Sequence, residues 1–309
     1  MAVHGGAGHG PRGGEAAAAR HRAALQDAVE AARGALRGGG SALDAAVAAV
    51  VALEDCPLFN AGRGAVETEA GEFELDAAVM HGPERRAGAV AAVAGVRNPV
   101  LLARAVMETT PHVLLAGGGA RALAEREGLE LAGPEWFAER APDHVPGDAG
   151  PAPAGDAGPA PAAEAGPAPA AGAEPPAHGT VGAVVLDRSG RLAAATSTGG
   201  VRGQMPGRVG DTSLPGAGTY ADERVAVSAT GQGEAMMRTV AAHEVAALVR
   251  HAGLGLEEAA ARALADVEPL GGGGLIALDA GGALAMPFNT PAMFRAWARG
   301  DGAVRASVG

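Results

Sequence analysis

The stretch PPAHGTVGAVVLD, residues 175–187, joins two unlike kinds of chain. Upstream, residues 141–178 are mostly Pro, Ala and Gly, with the octet GDAGPAPA twice and AEAGPAPA once. Such a segment buries too little apolar surface to offset its ordering entropy, so it reads as a disordered, partly extended tether. Downstream, TVGAVVLD and RLAAATS, joined by RSG, read as a β-hairpin. Gly179 and Thr180 stand where tether meets strand. The chain therefore divides into 1–140, a tether over 141–178, and 180–309.

Working outward, SALDAAVAAVVALED (41–55) reads as a helix opened by an S-x-x-D capping pattern at Ser41 and Asp44. Residues 15–37 have helical spacing, and Pro99 begins another helix. Strands are predicted near 72–80 and 87–96, and a first strand over 1–8 is expected to be frayed because the stretch is short. Beyond the hairpin come a strand, ERVAVSAT, a long helix over 233–253, a helix over 256–267, and a second hairpin in GLIALDAGGALAMPF. Runs of strands and of helices without regular alternation indicate an α+β fold.

Composition narrows the function. The chain has 309 residues, a formal charge of −11 and no basic run, which argues against nucleic acid or an anionic membrane as partner. No apolar run approaches the ~20 residues of a membrane span. One cysteine, Cys56, excludes an intrachain disulfide, and the N-terminal stretch lacks the pattern of a signal peptide. A cytoplasmic location is the expectation. Gly117, Gly119 and Ala122 imitate a dinucleotide fingerprint, but no ribose-binding acid follows, so a tight strand-to-helix turn is expected there. His243-Glu244 lacks the second His of a zinc helix, because Ala247 occupies that place.

Thr180 is the residue with distinctive chemistry. A threonine hydroxyl is a weak nucleophile, but at a chain N-terminus its own α-amine, titrating at about 8, serves as base. Thr180 gains that amine only if the Gly179–Thr180 bond is cut. Thr198, at the end of the return strand, falls opposite Thr180 in the hairpin. PGRVGDTS places Arg208 and Asp211 in one Gly-rich loop, and SATGQGE places Thr230 and Gly231 at a strand end before a helix. A hydroxyl and a backbone N–H at such a turn are good oxyanion donors.

Together with HGGAG (4–8), LEDCPLFNAGRGAV (53–66), ELDAAVM (74–80), GTVGAVVLD (179–187), ATSTGG (195–200) and MPFNTPAMFRAW (286–297), these motifs give the chain its likeness. It resembles the plant-type L-asparaginase / isoaspartyl peptidase family of N-terminal-nucleophile hydrolases. The resemblance implies a four-layer αββα sandwich, made as a precursor that cleaves itself between Gly179 and Thr180. The parts 1–140 and 180–309 stay associated as an (αβ)2 heterotetramer. Thr180 is then the nucleophile, supported by Thr198, with Thr230 and the Gly231 N–H as oxyanion hole and Asn60 approaching the site. Arg208 takes the substrate α-carboxylate and Asp211 its α-ammonium, with Val209, Gly210, Gln232 and Gly233 in the same pocket. No cofactor is implied for catalysis. A structural sodium is implied in the loop of Leu53, Glu54, Cys56, Phe59, Ala61 and Arg63, held by backbone carbonyls.

An Arg fork and an Asp together fit a free amino-acid head, which leaves a side-chain amide as the bond attacked. The implied activity is hydrolysis of L-asparagine and β-aspartyl dipeptides. A glycosylasparaginase of the same superfamily and a scaffold protein that never cleaves are the alternatives.

Overall fold

The computed structural model describes residues 1–11, 13–141 and 179–309. The first part runs β1 (Ala2–Gly8), α1 (Gly14–Arg37), α2 (Ala42–Glu54), β2 (Leu75–His81), β3 (Arg86–Val93), α3 (Pro99–Thr109), β4 (Leu114–Ala116), α4 (Gly117–Arg126) and α5 (Pro134–Ala138). The second runs β5 (Val181–Leu186), β6 (Leu192–Thr198), β7 (Thr219–Ala221), β8 (Val225–Gly231), α6 (Gly233–Thr239), α7 (Ala241–His251) and α8 (Leu256–Val267), then β9 (Gly273–Asp279), β10 (Leu284–Ala285), β11 (Ala292–Trp297) and β12 (Arg305–Val308). The tether predicted over 141–178 lies outside the described residues, apart from Ala141, whose N–H donates to the Pro57 carbonyl at 3.2 Å. Among the described residues, no helix is long and apolar enough to cross a membrane.

The strands form two sheets, ordered β12-β11-β1-β5-β6-β2-β3-β4 and β10-β9-β8-β7. Pairing is antiparallel except between β3 and β4. Helices α1, α2 and α3 pack on strands of the larger sheet, and α7 and α8 on the smaller. The other faces meet, with β5 and β6 against β8 and β1 against β9. The apolar interior is dominated by Ala, Val and Leu, with Phe59, Phe137 and Phe294 its largest fully buried rings. Small side chains of this kind let backbones approach closely.

The capping pattern forms as predicted. Ser41 Oγ accepts the Asp44 N–H at 3.2 Å, and Asp44 Oδ2 accepts the Ser41 N–H at 2.7 Å. The expected frayed first strand does not form. Instead β1 is buried along its length, because β11 and β5 pair with both its edges. The helix predicted over 233–253 is two helices, broken at Val240 in the left-handed region (φ 52°, ψ 44°). The break has a local cause. The Ala242 and His243 N–H groups donate to the carbonyls of Ala217 and Gly216, so the loop before β7 caps α7 from outside. The Gly117–Gly119 run opens α4 directly after the short strand β4, as the turn reading expects.

A β-branched residue in the left-handed region is strained, and asparagine tolerates that conformation better. Val240 is 46% exposed, so its side chain contributes little core packing. Val240→Asn is expected to stabilise the protein by about 1 kcal/mol, read as a higher midpoint in thermal or denaturant unfolding. A lower midpoint would show that the valine's contacts outweigh its strain.

Candidate active site

The β5–β6 hairpin pairs Val181 with Ser197, which places Thr180 and Thr198 opposite each other just past the ladder. Thr180 is buried, and its Oγ1 donates to Thr198 Oγ1 at 3.1 Å. The Gly200 N–H donates to the same Thr198 oxygen at 3.1 Å, which holds that hydroxyl as an acceptor. Asn60, fully buried, braces this corner without a contact to Thr180 itself. Its Nδ2 donates to the Gly200 carbonyl at 2.7 Å, its own carbonyl accepts the Gly199 N–H at 2.9 Å, and its Oδ1 accepts the Val66 N–H at 3.2 Å.

The loop carrying Arg208, Val209, Gly210 and Asp211 is tied to β2 and the residue before it. Glu74 accepts the Gly207 N–H at 2.7 Å, and Asp76 Oδ2 accepts the Gly210 N–H at 2.9 Å. The other Asp76 oxygen accepts the Ala92 N–H at 2.8 Å. Burial pushes the Asp76 carboxyl up to about 6, against the pull of these hydrogen bonds and of Arg208. The Arg208 fork engages Glu234 through Nε at 3.0 Å and Nη2 at 2.9 Å. That edge is therefore occupied, and Nη1 is the part of the fork turned from Glu234, 3.5 Å from Gln204.

Asp211 is buried, and its Oδ2 has no hydrogen-bond partner among the described residues. Burial pushes its carboxyl up to about 7, with Arg208 opposing the rise and Asp76 and Glu234 adding to it. Arg208 and Asp211 meet at Gly233, where a Cβ would lie 2.9 Å from both Arg208 Nη2 and Asp211 Oδ1. The glycine thus leaves open the space between the two charges. Such a pair, one carboxylate and one guanidinium around a gap, recognises a zwitterion.

Thr230 and Gly231 close β8, opposite Gly274 and Gly273 of β9. Thr230 Oγ1 is buried and also without a partner among the described residues. Gly231 adopts φ 139°, and a side chain there would run into Gly272 and Gly273. Gln232 follows as the N-cap of α6, its N–H bonded to the Gly272 carbonyl at 2.9 Å. The link from β8 back to Thr180 is His4, whose Nδ1 lies 3.0 Å from the Thr180 carbonyl and whose Nε2 lies 2.8 Å from Ser228 Oγ. The motif reading quoted HGGAG and ELDAAVM but gave no role to His4 or Asp76. Their signal was a polar residue inside an otherwise apolar strand, which a buried position must satisfy.

Residues 53–63 wrap around the end of α2. Gly62 sits at φ 51° so close to the Glu54 carbonyl that a Cβ would overlap it. Among the described residues no group of three His, Cys, Asp or Glu side chains converges, so a cation here would rest on carbonyl oxygens. The carbonyls of Leu53, Phe59 and Ala61 each accept one backbone N–H, from Cys56, Ala61 and Gly64. Each carbonyl keeps a second lone pair. The buried Glu54 side chain accepts the Val100 N–H at 3.0 Å, and burial pushes its carboxyl up to about 8. The loop fits a hard monovalent cation.

An asparaginase family model matches residues 1–307. The isoaspartyl peptidase of Salmonella typhimurium is 47% identical over 312 residues, covering 96% of this chain and 94% of its own. That of Escherichia coli is also 47% identical, covering 96% and 92%. The plant-type L-asparaginase of Pyrobaculum calidifontis is 42% identical over 312 residues, covering 100% and 99%. With the Thr180–Thr198 pair and the Arg208–Asp211 loop in place, these matches show that the chain belongs to the asparaginase family.

Proposed function

We propose that this chain is a self-processing amidohydrolase that cleaves the side-chain amide of L-asparagine and the β-linkage of isoaspartyl dipeptides. What carries the proposal is Asp211 beside Arg208, a buried carboxylate with one oxygen unpartnered among the described residues. It needs a cation, and a substrate ammonium supplies one, while Arg208 takes the α-carboxylate. A substrate held by both α-groups presents its side-chain amide to the nucleophile. The names of the matched relatives, isoaspartyl peptidase and plant-type L-asparaginase, support this choice.

Maturation is cleavage between Gly179 and Thr180. Thr180 then carries a free α-amine and a hydroxyl on one carbon. The amine takes the hydroxyl proton as Oγ1 attacks the side-chain carbonyl carbon. Negative charge develops on the substrate oxygen, where Thr230 Oγ1 and the Gly231 N–H donate to it. The ammonium returns its proton to the leaving nitrogen, which departs as ammonia or as a peptide amine. Water then hydrolyses the threonyl ester, releasing aspartate and restoring the hydroxyl. Thr198 holds Oγ1 in place throughout, and Asn60 holds Thr198's corner. The carbonyls of Leu53, Glu54, Cys56, Phe59, Ala61 and Arg63 would hold a structural sodium, which fixes the loop carrying Asn60.

The helix and sheet contacts favour a four-layer αββα sandwich, with the paired sheets inside. The parts 1–140 and 180–309 belong to one such unit, and the unit is read as half of a cytoplasmic (αβ)2 heterotetramer.

The direct test is intact mass of wild type and Thr180→Ala, with activity on isoaspartyl-leucine, L-asparagine and a glycosylated asparagine. Wild type is expected to split at Gly179–Thr180 and hydrolyse the first two, while the variant stays whole. An intact, inactive wild type would sink the proposal, and preference for the glycosylated substrate would redirect it.

Asp211 gives a pH signature. Its carboxyl titrates near 7 and must be ionised to hold the ammonium. KM for asparagine is therefore expected to rise as pH falls through about 7. Asp211→Asn should raise KM roughly 10- to 100-fold, the loss of one charged hydrogen bond, and flatten that dependence. An Asp that titrates higher folded than unfolded costs stability once pH rises above about 4. The same variant should then melt higher than wild type at pH 8 but not at pH 4. A variant with unchanged KM would remove Asp211 from the substrate site.

A further inference from the structure

We propose that His4 is a positioning residue for the nucleophile, its Nδ1–H holding the Thr180 carbonyl in a tautomer locked by a file of buried hydroxyls. This rests on the reading of Thr180 as nucleophile given above.

The file runs across the space between the two sheets. His4 Nδ1 lies 3.0 Å from the Thr180 carbonyl, which accepts only, so that nitrogen carries a proton. Burial pushes the imidazole pKa down to about 3, so the ring is neutral and Nε2 is an acceptor. Ser228 Oγ, 2.8 Å away, must then donate to Nε2. With its proton spent there, Ser228 accepts from Thr196 Oγ1 at 2.8 Å, and Thr196 accepts from Thr219 Oγ1 at 2.6 Å. Every hydroxyl in the file thus points one way, toward the imidazole. His4, Thr196, Thr219 and Ser228 are all fully buried, so water does not compete for these bonds.

The backbone explains why a side chain is needed here. The β1–β5 ladder pairs Ala2 with Val184, Val3 with Ala183 and His4 with Gly182, and ends there. Beyond His4 the β1 chain leaves the regular register, through Gly5 packed on Phe59 and Gly6 at φ 116°. The ladder thus stops short of Thr180, and the imidazole supplies the donor for its carbonyl. That carbonyl lies on the C-terminal side of the Gly179–Thr180 bond, so the contact survives cleavage. A newly made chain end otherwise tends to fray. Held by its carbonyl and by Thr198, residue 180 keeps its amine and hydroxyl in register with the bound amide.

The test uses the cleaved holoenzyme, with rates expressed per cleaved chain by intact mass. In 15N-histidine-labelled wild type, the His4 signal, identified by its loss in His4→Asn, should show the proton on Nδ1. An asparagine amide reaches the place of Nδ1 and a glutamine amide that of Nε2. His4→Asn should keep kcat within about tenfold, while His4→Gln should lose roughly 100-fold, the scale of a small misplacement of reacting groups. KM should stay within about twofold in both, since neither touches the substrate. Ser228→Ala, which frees Nε2, should lower kcat and populate the Nε2–H form, and it answers the question if the His4 variants do not fold. A wild-type proton on Nε2, equal rates for the Asn and Gln variants, or a loss confined to KM would each overturn the proposal. A wild type that neither cleaves nor hydrolyses would instead overturn the functional reading beneath it.

Discussion

At Gly182 the two sheets come so close that a single methyl group would overlap both Ser228 Oγ and His4 Nε2. The site depends on that approach. It places β5 of the larger sheet against β8 of the smaller, two residues beyond Thr180 on one strand and two before Thr230 on the other. The groups assigned to nucleophile and oxyanion hole thus sit at the ends of two strands whose middles are in van der Waals contact. Ala-rich strands make this possible, because larger inward side chains would hold the sheets apart.

Close approach has a cost that the structure meets with polar pairing. Hydroxyls and an imidazole lie between the sheets where a typical sandwich has apolar side chains, and each must find a partner or weaken the fold. Thr196, Thr219, Ser228 and His4 satisfy one another. Asp211 and Thr230 do not, and they are residues to which substrate contact is assigned. The division is physically sensible: groups that serve the framework are saturated, and groups that serve a ligand are left wanting one.

Much of this was legible in the sequence. The hairpin at 181–198 follows from alternation and a Gly-containing turn, and it alone sets Thr180 opposite Thr198. The Ser41–Asp44 cap, the Pro99 helix start and the strand end at Thr230 are local signals that survived intact. What escaped depends on contacts between distant segments. The break at Val240 comes from carbonyls of Gly216 and Ala217, which no helical periodicity records. The short strand β7 and the edge strand β12 carry too few residues to show a period. Asp76 looks like one acid among many until Gly210 and Ala92 are seen to share it. Glu234 likewise gives no sign in sequence that it occupies one edge of the Arg208 fork.

The strand order of the larger sheet carries one more consequence. Reading across it, β12 and β11 come from the part after residue 179, β1 from the part before, β5 and β6 from after, and β2, β3 and β4 from before. Severing the chain at Gly179–Thr180 therefore does not produce two halves that lie side by side. It produces two interleaved polypeptides, with the first strand of one clasped on both edges by strands of the other. To part, they must unzip three separate ladders at once, so the cut product is bound together as tightly as a single domain is folded.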